Sequence, residues 1–219
     1  MCKRLFFVPL GLLWIAALAC GSGTGPTPTA SGPKVLLKDD FSKSDSGWVT
    51  GADSQSSVEY DQEEYVVKIS DTGLLVWGTA DEDNLAEVHV VVQARNVGSA
   101  TDPTFGIVCH YQDDQNFYYM GIGADGFYAI AKYENDQLTI LTDKDNQWIQ
   151  SDKIKRNAAA YTLEADCGGG RLTLYVDGTR IDSVEEASFS QGRLGLFARS
   201  FDAAGVEVHF DNFVATELK

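Results

Sequence analysis

Helical periodicity is almost absent from this chain. No segment repeats apolar residues at three- and four-residue spacing for more than a turn or two, and Ala158-Ala159-Ala160 runs directly into a strand pattern. That excludes helical bundles and folds in which strands alternate with helices. No internal repeat of fixed period is present, which excludes propellers and β-helices. Positive charge is scarce: 17 Lys and Arg stand against 32 Asp and Glu, a net charge of −15. Such a balance argues against nucleic-acid partners and against close contact with anionic lipid. There is no Gly-x-Ser-x-Gly elbow, no His-Glu-x-x-His pair and no phosphate-binding loop, so the commonest signatures of esterase, metalloprotease and nucleotide chemistry are missing.

Long apolar runs are also lacking. Residues 5–18 form the longest, and it is interrupted by Pro9 and Gly11. A membrane span needs about 20 apolar residues. Lys3 and Arg4 precede the run and Ala17-Leu18-Ala19 follows it, which is the three-part pattern of a secretory signal. Residues 1–19 are therefore read as a leader outside the fold. Small residues ending at Cys20 resemble the lipobox of bacterial lipoproteins, with Ala17 standing where that pattern more often has Leu. The resemblance implies that Cys20 is lipidated and becomes the mature N-terminus, placing the domain on the extracytoplasmic side of a bacterial envelope. The alternative is an ordinary cleaved signal with Cys20 incidental. From Gly21 to Pro33 the chain holds only Gly, Ser, Thr, Pro and Ala. With nothing to bury, residues 20–33 read as a flexible tether with a reach of about 40 Å, and membrane contact is expected through the lipid alone.

What remains, residues 34–219, suits one domain that buries roughly 70% of its unfolded surface. Removing Lys3 and Arg4 leaves 15 basic against 32 acidic residues, net −17. Cysteine is sparse here too: Cys2 goes with the leader and Cys20 is the anchor, leaving Cys109 and Cys167. Two thiols in an exported domain most economically form one disulfide; the alternative is two buried free thiols.

What the domain does have is strand pattern. Val88, Val90, Val92 and Ala94 share one face of residues 85–95, while Glu87, His89, Val91, Gln93 and Arg95 share the other, the alternation of a half-buried strand. Residues 104–133 read as three consecutive antiparallel strands, rich in aromatic and β-branched residues and broken by Asp, Asn and Gly. Asp125-Gly126 predicts a type I′ hairpin turn. Further short strands follow at 137–142, 161–167, 171–176, 180–184, 192–198 and 206–214, with turns at Asn135-Asp136, Gly168-Gly169-Gly170 and Asp177-Gly178. About a dozen strands with turn signals at close intervals predict an all-β antiparallel β-sandwich, a jelly roll.

Several motifs then carry a resemblance. Asp40-Phe41 with Gly47-Trp48 is similar to the opening of bacterial exported concanavalin A-like domains. So are Phe105-Gly106-Ile107-Val108-Cys109, Asn116-Phe117-Tyr118, Leu172 through Gly178, Gly192-Arg193-Leu194-Gly195-Leu196 and Phe210-Asp211-Asn212-Phe213. Those domains are laminin-G-like jelly rolls, a group that includes the 3-keto-disaccharide hydrolase domains. The resemblance covers nearly all of residues 34–219 and implies the fold more than an activity. It also implies that Cys109 pairs with Cys167.

Candidate chemistry is thin. Glu164 and Asp166, two apart on one strand, point to one face and resemble part of the Glu-x-Asp-x-x-Glu strand of laminarinase-type jelly-roll enzymes. Gly168 and Gly169 stand where the third acid belongs. A glycosidase needs two carboxylates about 5–10 Å apart across the sugar; the competing reading is a solvated strand face. Glu207, His209 and Asp211 also share a face, but successive side chains there lie about 7 Å apart, too far to meet one ion without bending. No cofactor is called for. The exception considered is a structural calcium at Asp40 and Asp211, where first and last strands of some sugar-binding jelly rolls hold one; Ca²⁺ takes 6–8 oxygens and only two side-chain donors are evident. Sugar contact needs flat amphipathic rings beside hydroxyl-binding groups. Tyr111, Asn116, Tyr119, Lys132, Tyr133 and Trp148 fall on or beside the central meander and are the candidate ligand residues. Three functions compete: an anchored binding module for carbohydrate or a surface polymer without catalysis, a glycoside or 3-keto-disaccharide hydrolase, and a protein-interaction or envelope-structural domain.

Overall fold

The computed structural model describes residues 32–218, whose compact unit begins at Pro33. The leader and most of the tether lie outside the described residues. Sixteen strands form, in order β1 (Val35–Asp39), β2 (Gly51–Ala52), β3 (Ser56–Asp61), β4 (Glu64–Ile69), β5 (Leu75–Thr79), β6 (Val88–Asn96), β7 (Thr104–Asp113), β8 (Asn116–Gly123), β9 (Phe127–Glu134), β10 (Gln137–Ile140), β11 (Ile149–Gln150), β12 (Tyr161–Gly168), β13 (Arg171–Val176), β14 (Thr179–Glu185), β15 (Arg193–Arg199) and β16 (Val206–Glu217). No α-helix occurs among the described residues. β2 and β11 are two residues long, too short to carry a period in the sequence.

All pairings are antiparallel and fall into two sheets. The nine-stranded sheet runs β14-β13-β12-β6-β16-β4-β3-β2, with β1 also on β16; the seven-stranded sheet runs β10-β9-β8-β7-β15-β5, with β11 on β9. This is a jelly-roll β-sandwich of the concanavalin A-like kind. The expected meander is β7-β8-β9, in the middle of the smaller sheet. β16 pairs with β6 along one edge, while its other edge is shared by β4 and then β1. The change falls at a bulge between Asp211 and Val214, where Asn212 takes φ 53°. Such a bulge bends a strand toward a new neighbour.

The core lies between the sheets. Val88, Val90 and Val92 of β6 and Leu163, Ala165 and Cys167 of β12 meet Phe105, Ile107 and Cys109 of β7 and Tyr118, Met120 and Ile122 of β8. Cys109 and Cys167 are bonded, Cα to Cα 6.4 Å, and tie the two sheets together across this core. The Asp-Phe and Gly-Trp motifs near the start are structural. Asp39 accepts from the Phe41 N–H at 2.8 Å and the Ser46 hydroxyl at 2.5 Å. Phe41 stacks on Tyr65, and Trp48 meets Phe213 edge-on.

The hairpin at Asp125-Gly126 differs from the expected type I′. Only Gly126 takes positive φ, at 94°, and its N–H closes on the Gly123 carbonyl at 3.0 Å. Ala124 and Asp125 make the reverse turn, and Gly126 is the left-handed residue that follows it, the usual build of a loop one residue longer. Type I′ turns occur instead at Gln62-Glu63 (φ 53° and 63°), Asn135-Asp136 (φ 51° and 63°) and Asp177-Gly178 (φ 50° and 75°).

Candidate binding face

β8 has no polar alternation: Phe117, Tyr118, Tyr119, Met120 and Ile122 are all fully buried. A strand apolar on both sides is covered on both sides. Tyr118, Met120 and Ile122 face the core between the sheets. Phe117 and Tyr119 face outward and join a second apolar cluster with Val108, Ala129, Ala131, Ile140 and Phe197. Trp77, Tyr111, Tyr133 and Trp148 pack on that cluster half-buried. The outer face of the seven-stranded sheet is thus a layer of rings.

Geometry links them. The Phe117 centroid lies 5.0 Å from Trp77, 5.2 Å from Tyr133 and 5.9 Å from Tyr111. Tyr119 meets Phe197 edge-on at 4.9 Å. Gly121 gives Phe197 its seat, because a Cβ there would come within 2.6 Å of that ring. At the end of the face nearest the β7–β8 turn, Trp77 and Tyr111 line a groove of about 370 Å³ with Asp114, Val49 and Thr79. The Tyr111 hydroxyl donates to Asp114 Oδ1 at 2.6 Å, and burial with the Asp114 charge pushes the phenol up to about 12. The ring is held in orientation while its carboxylate partner stays at the groove.

Of the candidate ligand residues, the fold brings Tyr111, Tyr119, Tyr133 and Trp148 to this one face. It places the other two elsewhere. Lys132 points from the opposite side of β9 toward Ser188 Oγ at 3.0 Å and Glu186 at 3.7 Å. Asn116 opens β8 one residue before Phe117, so the parity of the strand turns it away from the rings, and its Nδ2 donates to Asp113 at 2.8 Å. Trp77, Phe117, Phe197 and Asp114 complete the face without having been singled out in the sequence. The available signal was the unbroken apolar run of β8, together with mid-strand glycines Gly106 and Gly121, which mark close approach.

Glu164 and Asp166 lie on the outer face of the other sheet. Asp166 accepts from Tyr175 O–H at 2.7 Å and faces His89 Nδ1 at 2.7 Å; Glu164 accepts the Gly178 N–H at 3.1 Å and lies 3.7 Å from His89 Nε2. Their side chains are only 19% and 20% exposed, so the pair is not a freely solvated strand face, and His89 stands against both carboxylates. Along the same sheet His209 has Nδ1 2.7 Å from Glu64 and Nε2 3.1 Å from Glu207. Both nitrogens lie within hydrogen-bond distance of carboxylates. Glu64 is also bound by Arg95, and the hydrogen bonds from Arg95 and His209 outweigh burial to hold its carboxyl below the ordinary 4.5.

Asp40 and Asp211 do converge. They line a polar cleft of about 450 Å³ with Glu63, Glu64, Arg95 and Asn212, as the β1–β16 pairing leads one to expect. Asp40 is bonded to the Ser42 hydroxyl at 2.6 Å, and Asp211 to Asn212. No group of three His, Cys, Asp or Glu side chains placed to hold a metal occurs among the described residues. An enclosed cleft of about 200 Å³ lies at the glycine turn 168–170, lined by His110 and Glu186. There His110 faces the Phe189 and Ala86 carbonyls at 2.9 and 2.8 Å, and burial lowers its pKa.

No family model and no curated protein matches the sequence. Solved structures do share the fold. The carbohydrate-binding module CBM66 from Bacillus subtilis aligns at 16% identity and TM-score 0.61, over 78% of this chain and 96% of that one. A protein of unknown function with a galectin-like fold from Bacillus subtilis aligns at 9% identity and TM-score 0.60, over 84% and 96%. The Bacillus licheniformis β-glucanase aligns at 12% identity and TM-score 0.57, over 86% and 100%. At such identities the likeness is one of fold.

Proposed function

We propose that this chain is a carbohydrate-binding module displayed on the outside of a bacterial envelope, and that the outer aromatic face of the seven-stranded sheet is its contact surface. The observation that carries the reading is the groove in which half-buried Trp77 and Tyr111 stand beside Asp114. Flat amphipathic rings stack on the apolar side of a pyranose, and an acceptor at their edge takes its hydroxyls. A carbohydrate-binding module and a β-glucanase among the structures of the same fold support it.

The module binds without hydrolysing. The one candidate acid pair, Glu164 and Asp166, is on the opposite sheet and bound to His89, Tyr175 and backbone. Glycoside hydrolysis needs its two carboxyl groups on either side of the scissile bond, about 5–9.5 Å apart. Asp114 lies in the groove without an acidic partner among its lining residues.

Residues 1–19 serve as a lipoprotein signal, Cys20 carries the lipid, and residues 20–33 hold the domain away from the membrane. The Cys109–Cys167 disulfide accords with an oxidising compartment. Mass spectrometry of the membrane fraction tests the anchor: an acylated peptide beginning at Cys20 supports it, and a mature N-terminus beyond Cys20 without acyl mass refutes it. A broad glycan array followed by isothermal titration tests binding.

A further inference from the structure

The groove at Trp77 and Tyr111 is lined by one carboxylate and by no cation. Asp114 Oδ1 accepts the Tyr111 hydroxyl at 2.6 Å, while Oδ2 has no hydrogen-bond or ion-pair partner among the described residues. Arg193 stands opposite Tyr111 in the pairing of β15 with β7, but it is already engaged. Its Nε and one terminal nitrogen lie 2.6 and 3.3 Å from the two oxygens of Asp83, and Asp81 adds its charge beside them. Burial raises the Tyr111 phenol, and the charges of Asp114 and Asp113 raise it further. The groove is therefore locally negative, within a domain whose net charge is −17.

The backbone of β5, the last strand of its sheet, completes the groove. The Ala80 N–H and the Leu74 carbonyl are bonded to β15. In an antiparallel pair these groups alternate along the strand, so Leu75, Trp77 and Thr79 turn their N–H and C=O to the open side. The Thr79 carbonyl takes the Val49 N–H at 2.9 Å, whereas those of Leu75 and Trp77 and their N–H groups meet no partner among the described residues. Such donors and acceptors read hydroxyls without regard to charge. The carboxylate is the group that discriminates. An acidic sugar sets like charge against Asp114, and a neutral hydroxyl gives Oδ2 one hydrogen bond. An ammonium gives it a charge-assisted bond, about twice as strong as a neutral one, and is also drawn to the faces of Trp77 and Tyr111. The field of the acidic domain raises the local concentration of a polycation as well.

We propose that the Trp77–Tyr111–Asp114 groove takes an amino sugar, a glycan of hexosamine units that carry free ammonium groups. The ammonium lies on Asp114 Oδ2, a pyranose face on the rings, and hydroxyls on the open N–H and C=O groups of Leu75 and Trp77. The inference rests on the carbohydrate reading above and narrows its ligand class. It also gives the acidic balance of the domain a role in gathering its ligand. The local contact and that general attraction separate in salt: at about 0.15 M, where the Debye length is about 8 Å, the distant charges are screened and the contact with Asp114 is not.

The test is isothermal titration of the purified protein with glucosamine oligomers, N-acetylglucosamine oligomers, cello-oligomers and oligolysine of matched length. It is run at about 0.15 M salt and about pH 6, where a sugar amine, like an α-amino group, is charged. The expected result is that the glucosamine oligomer binds roughly 10- to 100-fold more tightly than its N-acetylated form and than oligolysine. In Asp114→Asn that gap closes. Asp152→Asn removes the same charge beside the turn at the other end of β8, where Ser151 N–H bonds the Gly126 carbonyl, and leaves the gap intact. Trp77→Ala weakens amino and acetylated forms alike, and near-UV circular dichroism identical to the parent shows that each variant is folded. The proposal is overturned if amino and acetylated forms bind equally, if the gap survives Asp114→Asn, if Asp152→Asn closes it as far, or if oligolysine binds as tightly. Binding of neutral or acetylated oligomers alone, lost in Trp77→Ala, overturns the amino-sugar inference and leaves the carbohydrate reading standing. Absence of binding to every glycan overturns both.

Discussion

His89 Nδ1 and Asp166 Oδ1 lie 2.7 Å apart on the outer face of the nine-stranded sheet, the face opposite the aromatic layer. With Tyr175 O–H on the second oxygen, Asp166 is a structural hub linking β6, β12 and β13. Asp166→Ala therefore leaves His89 Nδ1 and the Tyr175 hydroxyl without a partner and is expected to cost about 1–3 kcal/mol of stability. Glycan binding by the folded variant is expected to be unchanged. Urea titration and calorimetric binding check the two halves; a loss of binding without loss of stability would contradict this assignment.

The Cys109–Cys167 bond closes a loop of 58 residues and joins the sheets. In the chain-entropy model such a link is worth about 4 kcal/mol. The double variant Cys109→Ala/Cys167→Ala is expected to lose stability on that scale in urea unfolding, with no change in the slope of the transition beyond that of a less restricted unfolded chain.

Acid should unfold the domain before base does. Glu64 is held below its ordinary 4.5 because Arg95 and His209 outweigh burial, and Glu186 is lowered likewise, Ser188, Lys132 and Tyr118 outweighing its burial. A carboxyl whose folded pKa is depressed contributes its full stabilisation above the unfolded value and loses it as pH falls through the folded one. Buried His110, whose pKa is lowered, adds a gentler fall that begins below about pH 6.5, so stability is expected to be highest near neutrality and to fall further below about pH 4.5 as the carboxyls protonate. Glu186→Gln should flatten that fall. Denaturation midpoints measured between pH 3 and 8 give the slope directly.

Two backbone positions allow engineering in opposite directions. Gln62 and Glu63 occupy the left-handed region at φ 53° and 63°, which costs a side-chain-bearing residue about 1 kcal/mol each. Replacing them with Asn-Gly should raise stability by about 1 kcal/mol, read as an upward shift in melting temperature. Gly121→Ala should do the reverse. Its Cβ would lie 2.4 Å from the Phe105 carbonyl oxygen and 2.6 Å from the Phe197 ring, an overpacking expected to cost about 1–3 kcal/mol.

The sandwich was legible because its strands announce themselves. β6 alternates cleanly, and Val88, Val90, Val92 and Ala94 are all buried as the period demands. The disulfide was legible from compartment and resemblance together. The outer aromatic face was half legible. Tyr119 and Tyr133 keep the parity of their strands, whereas Tyr111 reaches the face only through the irregularity after Cys109, where His110 takes φ 49°, and Lys132 lies one residue from Tyr133 and so points through the other side of β9. Phe197 and Trp77 come from β15 and β5, distant in sequence, and only sheet order brings them to the meander. Glu164 and Asp166 share a face as spacing predicts, but which sheet that face covers is a matter of topology. Spacing along one strand cannot report it.

The most direct test of the account is isothermal titration of the purified protein and its Trp77→Ala/Tyr111→Ala variant against the glycans selected by an array. Stacking of aromatic rings on sugar places the expected loss at roughly 10-fold or more, and because both rings also pack on the Phe117 cluster, near-UV circular dichroism is used to show that the variant is folded. Equal affinity of the two proteins, or silence of the parent across the whole glycan set, would contradict the assignment of the aromatic face as a carbohydrate-binding surface.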